Sequence, residues 1–254
     1  MSEKILQVEG VTKRFGGLVA VDNVTFDVNP SEIFGIIGPN GAGKSTTLAL
    51  ISGFLSGDAG KVFFDGRDVT GFKPHQIAQA GIGRQFQVSR LFMELSCIEN
   101  VFSGLHMGYK TSILQRFLHV PAANKETQEL RRKAEDILEF MGLSHLRDEP
   151  AKNLPHGYQR ILSMCIALAT DPKLLMLDEP ITGMNETEIE GVLELFKQIL
   201  DRGVTIMIIE HNMDVMMSLC DRMIVLDFGK KIAEGTPKVI QSNDQVIEAY
   251  LGTE

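Results

Sequence analysis

The sequence predicts an α/β fold with a mostly parallel sheet, an N-terminal antiparallel β-subdomain and an inserted helical subdomain. Three observations carry that expectation. The apolar run Ile33-Phe34-Gly35-Ile36-Ile37 feeds directly into the glycine-rich stretch Gly38-Pro39-Asn40-Gly41-Ala42-Gly43-Lys44-Ser45, which opens a helix-compatible segment, Ser45 to Ile51. Farther along, Lys173 to Leu177, Val204 to Ile209 and Met223 to Leu226 are β-rich runs separated by helix-length segments, the alternation of a parallel sheet with crossover helices. Between these two regions the pattern turns helical.

Taken in order, Ile5 to Glu9 and Val24 to Val28 alternate or run apolar as strands do, and Lys61-Val62-Phe63-Phe64 leads into Asp65-Gly66. That dipeptide, followed by Asp68-Val69, has the residues of a two-residue hairpin turn. From Gln87 to about Asn153 the chain reads as mostly helical, with a polar break at Pro121-Ala122-Ala123-Asn124-Lys125. Glu126 to Met141 places Leu130, Ala134, Ile137, Leu138 and Met141 on one helical face, with Arg131, Arg132, Lys133 and Glu139 elsewhere. A further helix is expected from about Tyr158 to Ala169. The chain then divides into a core with its β-subdomain, residues 1–87 and 166–254, and a helical subdomain, residues 88–165.

Composition excludes several classes. At 254 residues the chain is long enough for a sizeable core in one domain, or in one domain with an inserted lobe. A formal charge of −8 argues against a nucleic-acid partner, and no basic run marks a membrane-surface patch. Apolar residues make up 44%, yet the longest apolar stretches, Ile161 to Ala169 and Val204 to Ile209, contain Ser163 and Thr205. Both fall far short of the roughly 20 residues of a membrane span. Met1-Ser2-Glu3-Lys4 leads into a strand pattern with no apolar signal segment, and Cys97, Cys165 and Cys220 form no C-x-x-C pair. The expectation is a cytosolic, reduced protein without a disulfide framework or zinc site.

The chemistry concentrates in three stretches. Gly38 to Ser45 fills every fixed position of a phosphate-binding loop, between a strand and a helix as that loop requires. Glycines let successive N–H groups turn inward toward phosphate, and the helix that follows adds its positive end. Lys44 is placed to reach the β- and γ-phosphates, and the Ser45 hydroxyl to ligate Mg2+. The implied ligand is a nucleoside triphosphate and the implied core a P-loop NTPase. Leu174-Leu175-Met176-Leu177-Asp178-Glu179 is an apolar strand ending in two carboxylates, at the sheet edge where such folds place ligands. Asp178 is expected to hold Mg2+ through its water shell, and Glu179 to polarise an attacking water as general base. A second apolar strand, Val204 to Ile209, ends in Glu210-His211, which brings His211 to the same edge. Gln87 stands at the entry to the helical region.

These residues, in their order and spacing, resemble the ATP-binding-cassette (ABC) ATPase family, and the likeness spans essentially the whole chain. The resemblance implies ATP and Mg2+ as cofactors and Phe15 as the adenine-stacking aromatic. It makes Gly38, Pro39, Asn40, Gly41, Ala42, Gly43, Lys44, Ser45 and Thr46 the nucleotide cradle. It sets Gln87 beside Ser45 and Asp178 at the metal, and in catalysis with Lys44, Glu179 and the switch histidine, His211. The family's signature falls at Leu154-Pro155-His156-Gly157-Tyr158, which in the family covers the γ-phosphate of ATP held by a partner subunit. Pro155 stands where that signature usually has serine, and so lacks both a hydroxyl and an N–H donor. A missing hydrogen bond to a charged phosphate is worth roughly 1.5–3 kcal/mol. Intact elements for this chain's own nucleotide and a weaker cover for the partner's are therefore expected.

The closing segment Asp244 to Gly252 and the stretch around Gln115 to Asn124 look most like the cassettes of branched-chain amino-acid importers. That likeness implies a second ABC ATPase subunit, identical or different, with ATP at the interface. It also implies integral-membrane permease subunits, an extracytoplasmic binding protein met indirectly, no nucleic acid, and a place on the inner face of the cell membrane. Urea importers and polysaccharide exporters use similar cassettes, and a weakly hydrolysing regulatory module is a further alternative.

Overall fold

Two sheets divide the chain, of which the computed structural model describes residues 4–85, 91–105 and 121–251. Strands β1 (Leu6–Phe15) and β2 (Leu18–Val28) form a long antiparallel hairpin. Including β4 (Ala59–Phe64) and β5 (Arg67–Asp68), this sheet has the order β2-β1-β4-β5. The hairpin read at Asp65-Gly66 is present: φ is 49° and 73°, the two left-handed central residues that a type I′ turn demands. β1 runs well past the expected end at Glu9. Register shifts between Val8, Val11 and Lys13 break the alternation there and conceal the strand's continuation. The extra length carries Phe15 to the hairpin tip.

The second sheet comprises β3 (Ile33–Ile37), β6 (Ile82–Arg84), β7 (Leu174–Asp178), β8 (Thr205–Ile209), β9 (Arg222–Asp227) and β10 (Lys230–Gly235). Their order is β10-β9-β3-β8-β7-β6, parallel throughout except for β10 on β9. Every residue of β3, β7 and β8 is buried, as unbroken apolar runs in a parallel sheet should be. Alternate side chains serve two cores. Phe34, Ile36, Met176 and Ile209 pack toward the antiparallel sheet and α1 (Lys44–Ile51), while Ile33, Ile37, Leu177 and Ile208 face the helical side. Full burial of a side chain of this size contributes about 1.5–3 kcal/mol.

Among the described residues the remaining α-helices are α2 (Pro74–Ala80), α3 (Cys97–Gly104), α4 (Pro121–Phe140), α5 (His156–Leu168), α6 (Glu186–Asp201), α7 (Met213–Leu219), α8 (Pro237–Gln241) and α9 (Asp244–Leu251). Leu130, Ala134, Leu138 and Met141 are buried, so the periodicity read in α4 is its packing face. The expected polar break at Pro121 to Lys125 is instead the first turn of that helix. Proline costs nothing at a first helical position, where its missing N–H has no intrahelical partner, and the alanines that follow favour helix. The stretch from Gln115 lies outside the described residues as far as residue 120. Among the described residues no helix is long and apolar enough to cross a membrane.

Glycine is indispensable at one point where the antiparallel strands cross. Gly60 has φ 91°, and an added Cβ would lie 2.5 Å from the Gly10 carbonyl and the Val11 Cα. Gly60→Ala is expected to destabilise the fold by about 2–4 kcal/mol through strain and backbone displacement. Gly17→Ala, where a Cβ meets nothing within 4 Å, should change stability by less than about 0.5 kcal/mol. Urea unfolding of the two variants provides the check.

Candidate active site

The glycine-rich loop leaves β3 after Ile37 and closes on α1, which begins at Lys44. Gly38, Gly41 and Gly43 have φ of 145°, 82° and 99°. A Cβ on Gly38 would come within 2.0 Å of the Leu226 carbonyl, and one on Gly43 within 2.4 Å of the Ala20 carbonyl. Two of the three glycines are thus demanded by the way the loop nests against β9 and β2. A Cβ on Gly41 would meet nothing within 4 Å, so there the backbone conformation sets the requirement. Lys44 Nζ donates to the Gly38 and Pro39 carbonyls at 2.7 and 2.9 Å. Burial pushes the Lys44 pKa down, opposed by the nearby Glu179 and Asp178 carboxylates.

Parallel pairing sets the acids. Asp178 at the end of β7 is registered with Ile209 at the end of β8, so Asp178-Glu179 and Glu210-His211 emerge side by side. Asp178 is 2% exposed. Its Oδ1 lies 3.5 Å from the Ser45 hydroxyl, and its Oδ2 accepts from Arg84 Nη2 at 3.3 Å. Burial raises the Asp178 pKa, with Arg84 opposing. Arg84 is anchored in turn by donating to the Ser52 hydroxyl at 2.6 Å, at the far end of α1.

Glu179 and His211 are in contact, Oε1 against Nε2. Glu179 has φ 52°; its N–H donates to the Ile209 carbonyl at 2.9 Å, and its own carbonyl accepts from Arg160 Nη1 at 2.9 Å. Glu210 is sealed in behind them, 3% exposed. One oxygen accepts the Ile181 N–H at 2.8 Å and the other the His211 N–H at 3.1 Å. Burial raises its pKa while these amides pull it down. Glu210 therefore ties together the two turns that carry Glu179 and His211.

A cleft of about 530 Å³ gathers most of the expected residues. Phe15, Leu18 and Phe228 form an apolar mouth, Asn40 to Thr46 the floor, and Glu179 and His211 the far wall. Asp178 sits beneath, against Ser45. Gln87 lies outside the described residues. Sequence reasoning missed four contributors. Arg84 and Arg160 act on partners 94 and 19 residues away, Glu210 was passed over for its neighbour His211, and Phe228, just before Gly229, carries no motif that marks it.

Leu154 to Tyr158 lies outside this cleft. The helix expected from Tyr158 starts two residues earlier, at His156, with Pro155 (φ −54°, ψ 152°) as its cap. Proline fixes φ, and its C=O accepts the Gln159 N–H at 3.0 Å, so the helix forms immediately behind it. Pro155 and His156 are exposed, Leu154 is a core residue, and the half-buried Tyr158 ring meets His145 edge-on at 6.0 Å. A Cβ on Gly157 would lie 2.9 Å from the Glu188 carboxylate, the far end of a side chain that can move aside.

A glycine cradle at the carboxyl edge of a parallel sheet, flanked by an antiparallel sheet and an inserted helical region, defines a P-loop ATPase cassette. The chain belongs to the ABC transporter family, whose model matches residues 21–182. A second model, the branched-chain amino acid ATP-binding cassette transporter, matches residues 230–254. The chain is 38% identical to the high-affinity branched-chain amino acid transport ATP-binding protein BraF of Pseudomonas aeruginosa, with 99% of each chain covered. It is 39% identical to the corresponding protein LivG of Escherichia coli, again with 99% of each covered. A solved nucleotide-free ATP-binding cassette from an ABC transporter superposes with a TM-score of 0.87 at 35% identity, covering 99% of this chain and 100% of that one. A cassette in its ADP conformation gives 0.86 at 35% identity, with the same coverage.

The clamp made by Glu210 yields a stability prediction. Glu210→Ala leaves two backbone N–H groups without their acceptor and should destabilise the fold by about 2–4 kcal/mol. Glu210→Gln keeps one acceptor and should cost about half as much. Denaturant titration of both variants, with identical m-values required, reads this directly.

Proposed function

We propose that this chain is the ATP-hydrolysing subunit of an importer of branched-chain amino acids. It pairs with a second cassette, and ATP is held between the two. Integral-membrane permease subunits, supplied by an extracytoplasmic binding protein, hold it on the inner face of the membrane. The observation that carries the hydrolytic reading is the Glu179–His211 contact on the wall of a cleft whose floor is a glycine cradle. The cargo is supported by the names of the full-length relatives and by the family match over residues 230–254.

The residues divide the work along the cleft. Phe15, 48% exposed at the hairpin tip, offers a ring face on which an adenine stacks. Amides of the loop, with the N-terminus of α1, stabilise the triphosphate, and Lys44 shifts from the loop carbonyls to the terminal phosphates. Ser45 and Asp178 present hard oxygens on one spot, a donor set that suits Mg2+. Gln87 and these two residues would hold the ion, which neutralises phosphate charge when bound. Glu179 takes a proton from the attacking water, and His211 holds the carboxylate toward the cleft. Leu154 to Tyr158 covers the partner's nucleotide with the exposed start of α5 rather than with a serine hydroxyl. Residues 88–165 move as the helical unit that passes closure to the permeases, and residues 1–87 and 166–254 hold the nucleotide.

Glu179→Gln should lower ATP turnover at least about a hundredfold while nucleotide affinity stays within about twofold, since the amide keeps the shape but not the base. Turnover at the parental rate sinks the base assignment. The cargo is tested separately: disrupting the gene should abolish ATP-driven leucine, isoleucine and valine uptake by the cells that carry it. Normal uptake of all three would remove the importer reading and leave the ATPase reading standing.

A further inference from the structure

Arg160 lies on α5 one turn beyond the exposed Pro155-His156 end, and its Nη1 reaches the Glu179 main-chain carbonyl at 2.9 Å. Glu179 holds a left-handed backbone, φ 52°, that side-chain-bearing residues rarely adopt. Such a conformation persists only where its surroundings over-determine it. Contacts from two directions do so here. The N–H is held by the Ile209 carbonyl and the carboxylate by His211, both from the end of β8. The carbonyl is held by Arg160, which arrives from the helical side. With the N–H held, displacing the Glu179 carbonyl carbon changes φ, and a change in φ swings Cβ and with it the direction in which the carboxylate leaves the sheet edge.

We propose that Arg160 is a positioning residue for the water-activating carboxylate, making the orientation of Glu179 depend on where α5 sits. The proposal rests on the reading of Glu179 as the base. Its consequence is a link between two sites. The first turn of α5 carries the exposed residues proposed to cover a partner's nucleotide, and one turn later the same helix grips the backbone of this chain's own base. A displacement of α5 as it meets the partner's phosphate is passed to Glu179 through the Arg160 guanidinium.

The test uses the full chain assembled with its partner subunits. Arg160→Met keeps the aliphatic stem and removes the donors, whereas Arg160→Lys keeps one. Arg160→Met should lower kcat about ten- to a hundredfold with KM and the affinity for a fluorescent ATP analogue within about twofold, and Arg160→Lys should regain most of the rate. In a Glu179→Gln background the methionine substitution should change the residual rate by less than about twofold, because the group it positions is gone. The idea is overturned if Arg160→Met turns over like the parent. It is overturned equally if Arg160→Met slows the Glu179→Gln variant by the factor it slows the parent, the mark of a general structural role. Should Arg160→Met fail to fold, Arg160→Gln and Arg160→Lys decide on the same two ratios. A Glu179→Gln variant that hydrolyses normally removes the base reading itself, while one that is blocked beside an unaffected Arg160→Met removes only this inference.

Discussion

The parallel pairing of β7 with β8 is the constraint on which the site depends. Parallel strands end on the same edge, so whatever follows each strand is delivered to one place. Asp178 registered with Ile209 sets Asp178-Glu179 beside Glu210-His211, and β3, on the other flank of β8, delivers the glycine loop to them. A slip of one residue would exchange the two faces of β7 and direct Asp178 away from Ser45. The all-apolar faces of β7 and β8 guard against that slip only in part, since both are buried. Glu210 supplies the remaining specification, because its two oxygens reach amides on both turns at once.

Concentrating charge at a buried edge is costly, and each group meets the cost differently. Desolvation alone would drive Asp178 and Glu210 toward their protonated forms and Lys44 toward its neutral form. Asp178 is offset by the Arg84 guanidinium, whose second anchor on Ser52 links the acid to the helix that follows the phosphate loop. Glu210 is offset by two amides and is closed off at 3% exposure, while Glu179, 9% exposed, lines the cleft. That difference assigns the roles of the two neighbouring acids. Only Glu179 can meet a water arriving from the cleft, and Glu210 has no oxygen left uncommitted to the backbone.

What could be read in the sequence was chemistry that is contiguous. The loop Gly38 to Ser45, the apolar strands that end in Asp178-Glu179 and in Glu210-His211, and the Asp65-Gly66 turn each carry their meaning within a few residues. Phe15 came from family likeness, because the bulges in β1 erase the alternation that would have led to the hairpin tip. The start of α4 was misread because Pro121 and polar neighbours make a sound first helical turn as readily as a break. Arg84, Arg160 and Glu210 were invisible for a different reason. Each matters through a partner that only the folded sheet brings near, and an arginine or glutamate beside a strand end carries no local mark of that partner.

The backbone at the cleft completes the case. Among the described residues, six other than glycine have positive φ, and two of them, Glu179 and Phe228, line the cleft. Each such conformation costs roughly 1–3 kcal/mol, and glycine would relieve it. Glycine would also remove the side chain. At both positions the chain leaves a strand sharply while a side chain must still point into the cleft, a carboxylate at one end and a ring at the other. Phe228 makes the argument plainer than Glu179 does: at 85% exposure its ring returns almost nothing to the fold in buried area. The Gly229 N–H fixes that turn to the Ala42 carbonyl of the phosphate loop at 3.1 Å, so strain and ring alike are tied to the nucleotide cradle. Glycine at either turn would lower the strain and take away part of the cleft's lining.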